Sequence, residues 1–250
     1  MAQVAPVVLF LPARDEEATV AHVVRDAPAA IAVGGRVHEV EVVVVDDGST
    51  DATGDRARSA GATVIRTPGL GLGAAVRIGL AHAVARGAAA VAFCDADAEY
   101  DPAELGAVVG PVLRGEADYV VGSRFLGGSR RMRPHRFVGN GLLTLLVRRL
   151  TRGRRDVPLT DGQSGYRALS RAAAAQAEIV HDYNYAQVLT LDLLAKGHRY
   201  AEVPISYAHR EVGRSFVRLP TYLHRVVPAM WRVSRQVRAG PEMLRASIGS

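Results

Sequence analysis

Seven apolar residues, 88–94, run without a break from Gly87 into Asp95-Ala96-Asp97, and Pro102 opens the segment beyond. A short continuous apolar run bounded by glycine reads as a buried strand. Proline suits the first turn of a helix, where its missing N–H has no partner to lose. The chain therefore reads here as strand, acidic turn, helix. A strand that stops on Asp-x-Asp holds carboxylate oxygens at the carboxyl edge of a sheet, where open α/β sheets bind ligands. Two such ligands fall short of a full cage. They suit a hydrated Mg2+ or Mn2+ that also holds substrate phosphates. Glu99 is a candidate third ligand. The same acids also read as a solvated turn capping the next helix, and this segment alone does not choose.

The pattern recurs. Residues 7–11 read as a first strand, followed by Pro12-Ala13-Arg14-Asp15-Glu16-Glu17 and a helix over 15–27 whose early acids suit the helix dipole. Residues 40–45 read as a second buried strand ending at Asp46-Asp47-Gly48-Ser49-Thr50-Asp51, with Ser49 or Thr50 capping a helix that Gly61 closes. A short strand at 63–65, a glycine-rich opening to a helix ending near Gly87, and a helix and strand over 102–122 follow. This alternation predicts a mainly parallel sheet with helices on both faces. If the acid-tipped strands are neighbours, their acids share one crevice.

The second half reads differently. Residues 123–135 are rich in Arg and Gly and read as a loop. Residues 137–152 have helical periodicity, with Leu142, Leu143, Leu146, Val147 and Leu150 on one face. A turn at 161–167 leads to a short strand, then a helix over 184–196 and a strand over 200–207. A last helix over 219–238, kinked at Pro228, sets Leu219, Leu223, Val226 and Met230 against Arg218, Arg225, Arg232 and Arg235. Such a basic amphipathic helix suits either a membrane interface or a surface packed on the sheet.

Charge divides the same way. Residues 1–129 carry 10 Arg against 17 Asp and Glu, a net −7; residues 130–250 carry 21 Lys and Arg against 8 acids, a net +13. That asymmetry predicts a polyanionic partner for the second half. Cys94 is the only cysteine, which excludes an internal disulfide and a cysteine-rich zinc site. No signal peptide is expected, since residues 7–11 are too short and acids follow. No run reaches the roughly 18 apolar residues of a spanning helix. The glycine segment after Pro68 is G-x-G-x-G behind the third strand, which does not match a dinucleotide fingerprint. No P-loop and no Gly-x-Ser-x-Gly elbow occurs.

Six motifs occur in chain order: Pro-Ala-x-x-Glu-Glu, Asp-Asp-Gly-Ser-Thr-Asp, Asp-Ala-Asp, Gly-Ser-Arg, Asp-x-x-Ser-Gly-Tyr-Arg, and Glu-Val-Pro-Ile followed by Arg-x-x-Gly-x-Ser. Together they resemble the family 2 glycosyltransferases of GT-A fold, and within them the dolichol-phosphate mannose synthase, or polyprenyl-phosphate sugar transferase, branch. The resemblance implies an α/β Rossmann-like domain over 1–215, with a nucleotide-sugar half at 1–129, an acceptor half at 130–215, and the amphipathic helix and tail over 216–250. It implies that Pro12, Ala13, Glu16 or Glu17, Asp47, Gly73 and Ala96 contact the donor. Asp95 and Asp97, with Glu99, match the acids that hold Mg2+ or Mn2+ on its diphosphate. Arg124 matches a phosphate-contacting arginine and Asp161 an active-site acid. Arg210 and Ser215 match a loop that closes over the diphosphate. The family pattern has Asn and Lys where this chain has Gly69 and Leu72, and often a Glu near Val188 and Gln187.

The resemblance implies inverting transfer of a hexose, mannose or glucose, from GDP- or UDP-sugar. A cation and arginines would neutralise the charge that builds on the leaving diphosphate. A polyprenyl phosphate acceptor needs no general base, and Arg131 with Arg133 is placed to hold it. A soluble hydroxyl acceptor needs one, and Asp161 is then the candidate, unless it merely caps its own turn. The expected setting is cytoplasmic, with peripheral attachment to the membrane. Nucleic acid is not expected as a partner: the first half repels phosphate, and an aromatic content of 6% offers few stacking platforms. A non-catalytic sugar-nucleotide binder is the reading from another class.

Overall fold

The computed structural model describes residues 4–127, 141, 144–150, 157, 159–180 and 185–208. In chain order these form β1 (Val7–Ala13), α1 (Val20–Asp26), β2 (Ala30–Val33), β3 (Arg36–Asp46), α2 (Thr53–Ser59), β4 (Thr63–Arg66), α3 (Leu72–Ala85) and β5 (Ala90–Phe93). A 3-10 turn (Pro102–Glu104) leads into α4 (Leu105–Leu113) and β6 (Tyr119–Ser123). Then come α5 (144–150), β7 (Arg167–Leu169), α6 (Arg171–Gln176), α7 (Ala186–Ala195) and β8 (Tyr200–Pro204).

All eight strands join one sheet in the order β2-β3-β1-β5-β7-β6-β8, with β4 also on β3. β4, β3, β1 and β5 run parallel, as do β6 and β8; β7 is antiparallel to both its neighbours and β2 is antiparallel to β3. The sheet is therefore mixed and mainly parallel, as the strand–helix alternation predicts. β7 comes from the basic half, yet it sits between β5 and β6 of the acidic half.

Side-chain alternation along β1 divides the core into two layers. Val7, Leu9, Leu11 and Ala13 pack with α1 and α4 on one face. Val8 and Phe10 pack with α3, α6 and α7 on the other. Cys94 lies fully buried at the end of β5, as an apolar residue would.

Several expectations are corrected. The two acid-tipped strands are not neighbours, because β1 lies between β3 and β5; their acids still reach one edge because all three strands are parallel. The first helix begins at Val20, not at residue 15, because the backbone of residues 15–17 is bonded across to the loop after β3. Neither Ser49 nor Thr50 caps α2. Asp51 accepts from Thr53 N at 2.9 Å instead, while Ser49 Oγ accepts from Asp15 N. β2 and its hairpin were not expected. Gly34 and Gly35, at φ 60° and 75°, supply the two left-handed positions that a tight hairpin needs. Arg131, Arg210 and Ser215 and the helix expected from residue 219 lie outside the described residues.

Candidate active site

The carboxyl ends of β3, β1 and β5 build the first wall. The segments after β1 and β3 are zipped together: Glu16 N donates to Thr53 Oγ1 at 2.8 Å, Glu17 N to Asp51 Oδ2 at 3.2 Å, and Thr50 N to Asp15 Oδ1 at 2.8 Å. Pro12 and Ala13 are the last two residues of β1, both buried, and the carbonyl of Ala13 accepts from Asp47 N at 2.8 Å. The zipper separates the two glutamates. Glu17 turns towards α2, where its carboxylate accepts from Ala52 N and pairs with Arg56 at 3.5 Å. Glu16 lies close enough to Asp95 to raise its pKa.

Asp47 holds the glycine segment. Its Oδ1 accepts from Thr67 Oγ1 at 2.6 Å and Leu70 N at 2.7 Å, and its Oδ2 from Gly71 N at 2.8 Å. The segment passes so near that a Cβ on Gly48 (φ 74°) would stand 2.7 Å from Gly69 N. Glycine is thus required there by both backbone and space. Gly73 follows, buried in the first turn of α3.

Asp95, Ala96, Asp97 and Glu99 form a tight turn after β5. Ala98 takes φ 60°, Glu99 N donates to Asp97 Oδ1 at 3.1 Å, and Ala96 O accepts from Thr19 Oγ1 at 2.8 Å. The Asp95 carboxyl is pushed up to about 8, first by burial, then by the charges of Asp97, Glu99 and Glu16, with Arg124 pulling the other way. Among the described residues no three Asp, Glu, His or Cys side chains gather as a closed metal cage. A buried carboxyl crowded by like charge, as Asp95 is, fits an open divalent site, where a cation would relieve the repulsion.

The facing wall comes from β6, β7 and β8. Arg124 grips Asp161: its Nε donates to Oδ2 at 2.7 Å, its Nη2 to Oδ1 at 2.9 Å, and its backbone N to Oδ2 at 3.1 Å. Gln163 N adds a fourth bond to Oδ1 at 3.2 Å. Asp161 is fully buried, and the Arg124 guanidinium lies 5.2 Å from the Tyr207 ring centre.

Three residues of this wall were not singled out from the sequence. Glu202 of β8 accepts from Thr160 N, Thr160 Oγ1 and Asp161 N, setting the turn that carries Asp161. Tyr100 OH accepts from Gly165 N at 2.7 Å. Arg167 is buried completely and ties the same turn to α7. Glu202 and Arg167 lie inside the quoted motifs, which were the available signal; Tyr100 had none beyond its nearness to Asp97. Gly165 lies against the acids: a Cβ there would stand 2.8 Å from Asp95 Oδ2.

Residues 9–176 match the family model described as Glycosyl transferase family 2. The chain is a family 2 glycosyltransferase. This transferase is 32% identical over 197 residues to the polyprenol monophosphomannose synthase of Mycolicibacterium smegmatis, covering 72% of this chain and 73% of that one. It is also 32% identical over 187 residues to the undecaprenyl-phosphate mannosyltransferase of Micrococcus luteus, covering 72% and 76%. Its fold is similar to that of glucosyl-3-phosphoglycerate synthase from Mycobacterium tuberculosis, crystallised with Mn2+, uridine diphosphate and glucosyl-3-phosphoglycerate. The TM-score is 0.71 at 24% identity, over 92% of this chain and 80% of that one. The fold of the transferase is thus GT-A, with the Asp-x-Asp turn at the edge where the three parallel strands end.

Proposed function

We propose that this glycosyltransferase moves a hexose from GDP- or UDP-sugar to a polyprenyl phosphate at a membrane surface, with inversion and with a divalent cation. The observation that carries the choice of acceptor is the state of Asp161. A carboxylate offers about four lone-pair sites. Asp161 accepts four hydrogen bonds, three from Arg124 and one from Gln163. It is therefore a clamp for Arg124 with no site left to take a proton from a hydroxyl. An acceptor whose oxygen is already anionic needs no such base. The names of the two relatives, both acting on a polyprenol or its phosphate, support the same choice.

In this reading Asp95 and Asp97 hold Mg2+ or Mn2+, which when bound offsets the charge of the donor diphosphate. Arg124, fixed by Asp161, turns its remaining donors towards phosphate. Asp47 keeps the glycine segment in place as the floor under the nucleoside. An acceptor phosphate oxygen attacks the anomeric carbon, the bond from that carbon to the diphosphate breaks, and the nucleoside diphosphate leaves with the electron pair. No proton moves. Arg131, Arg210 and Ser215 are the further phosphate contacts the reading assigns. Among the described residues no helix is long and apolar enough to cross a membrane, so contact with the lipid is assigned to the basic second half.

The test is direct. Purified protein with Mn2+, a labelled GDP-mannose or UDP-glucose, and polyprenyl phosphate should yield a sugar-phospholipid that EDTA abolishes. Transfer only to soluble hydroxyl acceptors would overturn the assignment.

A further inference from the structure

We infer that Arg167 is a positioning residue for sugar transfer, holding the Asp161 turn and the first turn of α7 in one fixed relation; the inference rests on the acceptor-side reading above. Arg167 is fully buried in β7. Its Nε donates to Ser164 O at 2.8 Å and its Nη2 to Gly162 O at 3.1 Å. Its Nη1 donates to Ala186 O at 2.8 Å, to Thr190 Oγ1 at 3.1 Å and to Tyr119 OH. None of these partners is a carboxylate. The guanidinium lies 5.8 Å from the centre of the Tyr119 ring and 5.6 Å from that of Tyr185.

A charge buried in the protein interior is costly even when well bonded, and an apolar side chain of similar volume often serves stability as well or better. What an apolar residue cannot do is grip three separate segments at once: the Asp161 turn, α7 and β6. The fixed fork of a guanidinium can, and a lysine, a point charge with three rotatable donors, cannot reproduce it. The strand register shows what the grip controls. Arg167 stands opposite Phe93 of β5 and Val121 of β6. Two residues ahead of β7 is Gly165, against Asp95; further back are Ser164 and Gly162, whose carbonyls Arg167 holds, and then Asp161, clamping Arg124. One side chain thus sets the distance between the acids that face the donor, the arginine that faces phosphate, and the helix behind both. Transfer rates are sensitive to such distances: a displacement of about 1 Å can cost about a hundredfold.

The experiment compares the wild-type chain with Arg167→Lys, Arg167→Met and Tyr119→Phe, each assayed well below its own melting temperature. Donor affinity is measured by calorimetry with sugar nucleotide and Mn2+, and kcat and KM with saturating donor and varied acceptor. For Arg167→Lys and Arg167→Met the expected result is a kcat lower by about tenfold to a hundredfold, with donor affinity within about twofold and no rescue by lysine. Tyr119→Phe removes a single partner, so it stays testable if the arginine variants do not fold. Its expected result is a smaller loss of kcat with donor affinity again unchanged. Wild-type kcat in Arg167→Lys or in Tyr119→Phe would overturn the inference, as would losses that track donor affinity or the folded fraction. Failure of the acceptor assignment is seen separately, as an absence of transfer to polyprenyl phosphate by the wild-type chain. The same split is then read on the acceptor that chain does use.

Discussion

At the scale of single residues, the site holds one acid, Asp95, where its charge is disfavoured. The Asp95 carboxyl is pushed up to about 8 by burial and by Asp97, Glu99 and Glu16. Below the ordinary carboxylate range folded and unfolded chains both carry the proton, and nothing is lost. As pH rises the unfolded chain ionises first, so the metal-free protein loses stability progressively until about pH 8. In EDTA, Asp95→Asn should therefore melt higher than wild type at pH 8 and by a smaller margin at pH 5, by about 2–4 °C per kcal/mol relieved. The same variant should lose the stabilisation by Mn2+. A melting temperature unchanged by the substitution at both pH values would contradict this account. Removing Asp161 has the opposite effect on stability. Its removal strands Arg124 in a buried place, so Asp161→Ala should destabilise the fold by roughly 3–5 kcal/mol, measured by urea unfolding. A catalytic base with no structural duty would cost far less.

Between elements, turns are held by side chains from other strands, and this decides what could be read from the chain beforehand. Asp47 binds two backbone N–H groups of the glycine segment ahead of α3. Asp47→Ala should free them, so hydrogen exchange at Leu70 and Gly71 should quicken while the amides of β1 stay protected; unchanged exchange at both would refute that role. The strands ending in acids were legible because a continuous apolar run followed at once by Asp has few other readings. The start of α1 was not. Asp15, Glu16 and Glu17 look like first-turn acids, but their backbone is committed to Ser49, Thr53 and Asp51 some 34 to 37 residues away. β2 was missed because four residues with alternating exposure give a weak pattern, although Gly34-Gly35 marks the hairpin. α6 is only six residues long, signalled chiefly by Ser170, whose Oγ accepts from Ala173 N at 3.2 Å. The acids of the site were legible from their spacing. Their partners were not, because the Arg124–Asp161 pair and the grip of Arg167 arise from β7 lying between β5 and β6, a register that no local pattern encodes.

Across the whole molecule, charge is arranged so that the two substrates of the proposed reaction, both anions, would be received differently. Residues 1–129 have a net charge of −7 and residues 130–250 of +13. Glu16, Asp95, Asp97 and Glu99 would repel a sugar nucleotide unless a cation stands between them. Arg124, held by Asp161, and the arginines of the second half attract phosphate without one. Donor binding should therefore depend on metal and acceptor binding on ionic strength. Calorimetry with GDP-mannose or UDP-glucose should show binding in Mn2+ and none in EDTA. Sedimentation with vesicles carrying polyprenyl phosphate and anionic lipid should persist in EDTA. It should also weaken steeply between low salt and 1 M salt, as the screening length shortens from about 30 Å at 0.01 M to about 3 Å. Donor binding that survives EDTA would remove the need for the acidic turn. Vesicle binding that ignores salt would mean that apolar contact, not the net charge of the second half, brings this transferase to its acceptor.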